Sequence, residues 1–151
     1  MWSKIIPSVL GIFCLVVLIQ SKVPEPDNLE DYYDCWTYAE CVSTGAPYQS
    51  ILGCFNSLTF TEIQPIFHYV NESFYEYHTK SIPVAIKEYC ALNGDEQVNA
   101  YDKTLKGIFS YQDMACDSPQ MKHECKSSEK LLTCFFSLLN KLKKQDMCKL
   151  N

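Results

Sequence analysis

Residues 63–77 read IQPIFHYVNESFYEY, and the spacing of their apolar side chains decides between helix and strand. At 100° per residue, Ile63, Ile66, Phe67, Val70, Phe74 and Tyr77 fall within about 60° of one line, with Glu72 opposite. Strict period-two alternation is absent, so the stretch reads as a helix with one buried stripe. Pro65 must then lie near its start, with Thr59 or Thr61 as the cap.

Working outward gives the same answer. Asn28 can cap a helix starting near Leu29, with Glu30 and Asp31 in its first turn and Gly45 at its end. Pro47 suits the first turn of a second helix through residues 49–58 (QSILGCFNSL). Pro83 restarts or kinks the chain into residues 84–92 (VAIKEYCAL), which Asn93-Gly94 should stop. Residues 96–112 form another amphipathic stretch, weakened by Gly107. Ser118-Pro119 supplies a cap and an N1 proline for a long helix through residues 131–144 (LLTCFFSLLNKLKK). Five glycines and no alternating runs argue against a β-rich module. The expected fold is all-α, a disulfide-stapled domain of five to six helices over residues 29–151.

The first 21 residues read as a secretory signal. Lys4 supplies the positive region, residues 5–19 (IIPSVLGIFCLVVLI) the apolar one, and Gln20-Ser21 a small residue for cleavage. The apolar run is shorter than the roughly 20 residues a membrane helix needs, so no transmembrane anchor is expected. Residues 22–28 (KVPEPDN) hold two prolines and no apolar pattern and should form an exposed lead-in. The expected location is extracellular. Beyond residue 21, 12 lysines face 18 acidic residues, a net of −6, and there is no arginine. A chain without the side chain suited to bidentate phosphate or base recognition is a poor nucleic-acid binder. Charge is uneven: residues 22–115 carry a net of −9 and residues 116–151 a net of +3. Lys141, Lys143 and Lys144 in that basic end form a contact patch for an acidic partner or a solvated face.

Of nine cysteines, Cys14 falls in the signal, which leaves Cys35, Cys41, Cys54, Cys90, Cys116, Cys125, Cys134 and Cys148. An even set in a short exported chain is a disulfide framework. Eight allow 105 pairings, but helix geometry removes some. Cys35 and Cys41 would lie about 240° apart and about 9 Å along one helix, too far to bond, so each should reach a different neighbour. Cys125 and Cys134 face opposite sides of theirs and should also part. No C-x2-C pair occurs to favour zinc. A weak repeat is visible as well. Glu40-Cys41 precedes Ile51-Leu52-Gly53-Cys54-Phe55-Asn56-Ser57-Leu58, and Glu124-Cys125 precedes Leu131-Leu132-Thr133-Cys134-Phe135-Phe136-Ser137-Leu138. Read as a duplication, it gives two four-cysteine units with pairing mostly within 35–90 and within 116–148. Read as chance, it gives no such rule. The spacers, 12 residues against 8, differ.

Catalytic chemistry finds no foothold. His68 and His78 would lie about 15 Å apart on one helix, and His123 lacks the H-E-x-x-H spacing. There is no G-x-S-x-G elbow. A secreted phospholipase A2 would need a glycine-rich calcium loop and a cysteine-flanked His-Asp helix, and neither is present. We expect no enzyme, no catalytic residue, no cofactor and no metal. Tyr69 and Tyr75 point off the apolar line, which suggests an exposed aromatic patch suited to a protein interface. Helices held apart by bridges can instead enclose a cavity for a small hydrophobic ligand. Asn71-Glu72-Ser73 is a glycosylation sequon, with Asn71 as acceptor.

A signal, an acidic mature chain rich in Lys and Tyr, and eight cysteines on helices together resemble arthropod secreted proteins of venoms, saliva and haemolymph. The likeness is architectural and also extends to cysteine-rich domains of nematode secreted proteins. Cys116-x8-Cys125 is similar to one cysteine pair of insect odorant-binding proteins, whose C-x3-C pair is missing here. The resemblance implies a toxin-like or host-interacting secreted protein, which would act on a receptor or channel through exposed aromatics and Lys141, Lys143 and Lys144. The alternative is an extracellular carrier of a small hydrophobic ligand.

Overall fold

The computed structural model describes residues 22–150. The proposed signal peptide lies outside them. Six helices build the described chain, with no strand among the described residues. The first, α1, is composite: a 3-10 turn at Leu29–Tyr32, an α segment at Tyr33–Thr37 and a π turn at Tyr38–Val42. Then come α2 (Ala46–Asn56), α3 (Phe60–Ser73), α4 (Ile82–Cys90), α5 (Gly94–Asp117) and α6 (Lys122–Lys144). The all-α, disulfide-stapled expectation holds.

The two long helices, α5 and α6, form a hairpin across a short turn, and the other four pack around it. Buried Tyr101, Leu105, Ile108, Gln112 and Ala115 recur at three- and four-residue steps along α5, the stripe of a core-facing helix. On α6 the matching stripe is Leu131, Leu132, Phe135, Leu139 and Leu142. Helix α3 crosses α5 closely at Gly107. A Cβ there would stand 2.9 Å from Val70 Cγ2 and 3.1 Å from Phe74 Cγ. The glycine that weakens α5 as an isolated helix is what lets the two backbones approach.

Several boundaries differ from the sequence reading. Helix α3 begins as expected at a capping box, in which Thr59 and Glu62 satisfy each other's backbone N–H groups. It stops at Ser73 instead of running to Tyr77, because Asn71 Oδ1 accepts the Tyr77 backbone N–H at 2.6 Å and draws the chain into a turn. Gly45 does not end α1 but precedes α2 as its N-cap, with Pro47 in the first turn. Asn93 likewise stands at the N-cap position of α5, without a side-chain capping bond, and Gly94 starts the helix at φ +56°. Ser118 and Pro119 form the hairpin turn, in which the Met121 N–H donates to the Ser118 carbonyl, and α6 starts three residues after Pro119. The signals at Gly45 and Asn93-Gly94 were read correctly as punctuation but assigned to the wrong side of it. Asn28 makes no capping bond; its Nδ2 donates to Asp31 Oδ1.

The lead-in at residues 22–28 is mostly exposed but not free. Buried Gln112 holds both backbone groups of Val23, accepting its N–H at 2.9 Å and donating to its carbonyl at 2.8 Å. Lys22 pairs with Asp113 and Asp117. The segment is thereby strapped along α5.

The bridges are Cys35–Cys148, Cys41–Cys90, Cys54–Cys134 and Cys116–Cys125. Cys35 and Cys41 reach different neighbours, as do Cys125 and Cys134. The duplication rule needs correcting, however. Cys41–Cys90 and Cys116–Cys125 stay within the two sets, whereas Cys35–Cys148 and Cys54–Cys134 cross between them. The reason is packing: α2 lies on α6, and the residues after α6 return to α1, so the helices to be tied are distant in sequence.

Candidate ligand cavity

All six helices meet around a small cavity of about 50 Å³. Helix α1 contributes Trp36 and Glu40, α2 Phe55, α3 Ile66 and Phe67, and α4 Tyr89. Thr104 and Ile108 of α5, Leu131 of α6 and Tyr77 of the α3–α4 link complete the wall. Tyr77 is there because the Asn71 bond turns the chain inward just before it. The wall is aromatic and aliphatic, with no basic side chain.

Its polar groups are few, and most are already engaged. The Tyr77 hydroxyl lies 2.8 Å from Thr104 Oγ1 and the Tyr89 hydroxyl 2.7 Å from Thr37 Oγ1. Glu40 differs. It is 6 % exposed, with no ion-pair partner among the described residues. Burial pushes its carboxyl up to about 8, opposed only by the bond it accepts from the Trp36 side chain. Burial also raises both phenols above the ordinary tyrosine range. Glu40 lies in the π turn of α1, a rare conformation that is frequent at functional sites.

An open groove of about 660 Å³ lies beside the cavity, lined by Tyr48, Leu52, Leu58, Phe60 and Pro83 among others. Phe55, Ile63 and Ile82 line both spaces and form the partition between them. Phe60 on the rim is 74 % exposed.

The residues singled out from sequence fall elsewhere. Lys141, Lys143 and Lys144 are exposed in the last turn of α6 and fan across its solvent side. There their charges oppose the negative end of the helix dipole, and Lys143 Nζ sits 4.8 Å from the centre of the Tyr32 ring. Tyr69 and Tyr75 do not make an exposed aromatic patch. Both are half-buried: Tyr69 bonds Ser110 and meets Tyr111 edge-on, while Tyr75 packs on Tyr77. Asn71 is half-buried with its oxygen engaged.

The histidines do not converge. His68 pairs with Glu72, His78 with Glu88 and His123 with Glu62. The Glu88 carboxylate raises the His78 ring above its ordinary value. Glu129 lies 3.3 Å from Cys125 Sγ and 3.9 Å from Cys116 Sγ. Those sulfurs are bonded to each other and offer no thiolate to a metal.

Sequence reasoning missed Glu40 as a site residue. Its signal was a charge four residues after Trp36, on the stripe that also carries Ala39. Four disulfides are compatible with an extracellular protein, and no described helix is long and apolar enough to cross a membrane. No protein-family model matches the chain, and no curated protein and no solved structure does so either.

Proposed function

We propose that the protein is a secreted carrier of a small lipophilic ligand. The observation that carries this reading is the apolar cavity at the meeting point of all six helices, partitioned by three side chains from a larger groove. The inner space alone is smaller than ordinary ligand sites of about 300–1,000 Å³, but the groove brings the pair into that range. A ligand would therefore lie across the Phe55–Ile63–Ile82 partition and shift those side chains. The bridges would keep the framework intact outside the cell. In the same reading, Asn71 carries an N-linked glycan.

Native mass spectrometry of protein taken from its source fluid tests the carrier reading, together with titration by the neutral probe N-phenyl-naphthylamine. A ligand adduct, or probe fluorescence that is lost when Ile63→Trp fills the partition, is the expected result. An empty protein that also fails to take up the probe counts against it.

A second reading, toxin-like binding of an acidic receptor or channel, is favoured by the exposure of Lys141, Lys143 and Lys144. Changing all three to Gln should weaken such binding at low salt. Unchanged activity in the triple variant removes the patch from consideration.

A further inference from the structure

We propose that the ligand is an amphiphilic amine, its ammonium group held by the Glu40 carboxylate against Trp36, Tyr77 and Tyr89 and its apolar body reaching past the partition into the outer groove. The inference rests on the carrier reading and names the chemistry that reading leaves open.

Four features of the cavity point the same way. An acidic side chain inside an apolar wall is unfavourable unless it is neutral or meets a cation, and the wall supplies no cation. The hydrogen bond from the Trp36 side chain brings no charge, and the neighbouring hydroxyls are engaged elsewhere, Tyr77 with Thr104 and Tyr89 with Thr37. Aromatic faces attract a cation, most strongly when it is desolvated, and five aromatic residues line this cavity. Finally, the carboxyl is carried by a π turn, a rare conformation that is frequent at functional sites. The two volumes divide the ligand accordingly: about 50 Å³ suits a head group, and about 660 Å³ an apolar body. An anionic ligand would set two acids against each other.

The protons balance in a checkable way. The titratable groups in the wall are Glu40, Tyr77 and Tyr89. Burial keeps both phenols neutral, and Glu88 beyond Tyr77 faces outward to His78. Below about 8 the empty cavity holds Glu40 protonated. An incoming ammonium then forms an ion pair with the carboxylate, and the carboxyl proton leaves to solvent.

Hexylamine, hexanol and hexanoate share one chain and differ in head group. Their binding is read by titration calorimetry in buffers of different ionisation heat. It is also read by the fluorescence of Trp36, the sole tryptophan beyond residue 21. The amine should bind about tenfold or more tighter than the alcohol, as a charge-assisted bond allows, and hexanoate should bind weakest. Amine binding should release about one proton near pH 7 and almost none near pH 9. Glu40→Gln should cost the amine at least about tenfold more affinity than it costs the alcohol, bringing the two close together. Equal binding of amine and alcohol, no proton release near pH 7, or an amine affinity indifferent to Glu40→Gln would overturn the inference and leave the carrier reading standing. Failure of all three ligands and of the neutral probe would overturn both.

Discussion

Phe55 and Phe135 hold the same place in the two copies of the C-F-x-S-L segment, and their rings meet edge to face at 5.0 Å. One residue before each, Cys54 and Cys134 are bonded. Trp36 packs against both rings, 6.4 Å from Phe55 and 4.9 Å from Phe135. The repeated segments are therefore two halves of one core and not the centres of separate units. Trp36, which joins them, also begins the cavity wall.

The bridges should differ in worth. Cys35–Cys148 spans 113 residues and Cys116–Cys125 only 9. Loop-closure entropy assigns about 5 kcal/mol to the first and about 2.5 kcal/mol to the second. Replacing each pair by Ala and comparing denaturant midpoints should show the longer closure costing more.

Stability should fall with pH because of Glu40. Its carboxyl stands at about 8 in the fold against 4.5 when exposed. Between those values the unfolded chain has lost the proton that the folded one keeps, so rising pH favours unfolding. The loss is complete near 8 and amounts to at most about 5 kcal/mol at 1.36 kcal/mol per pH unit. Urea titrations of wild type and Glu40→Gln from pH 4.5 to 8 should show a slope that the variant largely removes.

Gly107→Ala should destabilise. Better helix propensity favours alanine by up to about 1 kcal/mol, but the new methyl must displace Val70, a stiff branched side chain, and Phe74. Overpacking of this kind costs about 1–3 kcal/mol, so we expect a net loss of about 1 kcal/mol. A lower urea midpoint with unchanged helical circular dichroism would match it.

The glycan proposed at Asn71 can be separated from the Asn71 turn. Ser73→Ala destroys the sequon and leaves the Asn71 oxygen on the Tyr77 N–H. Protein secreted from eukaryotic cells should lose its endoglycosidase-sensitive gel shift in this variant and keep its stability. Asn71→Ala should lose both, the second by about 1 kcal/mol for the missing hydrogen bond.

Fold class was legible because residues 63–77 and the α5 and α6 stripes repeat at helical spacing over many residues. The exclusion of Cys35–Cys41 was legible for the same reason, since a helix fixes how far apart its own side chains stand. The remaining pairings were not, because they depend on which helices meet, and α2 meets α6 across most of the chain. Cap residues such as Asn93-Gly94 and Gly45 carry the same signal for a stop and a start, so the boundary was clear and its side was not. Glu40 escaped notice because a glutamate ordinarily lies outside; only the approach of Trp36, Tyr77 and Tyr89 in the fold makes it a buried acid.

Cys35 is the first of the eight framework cysteines to leave the ribosome, and its partner is the last. Cys41, Cys54, Cys90, Cys116, Cys125 and Cys134 all emerge before Cys148 does. Pairing in order of emergence would join Cys35 to Cys41 or Cys54 and trap the chain with its first helix tied to the wrong neighbour. If the chain oxidises as it emerges, such pairs must be reshuffled, and yield in a recombinant host should then track the supply of disulfide isomerase more than that of oxidant.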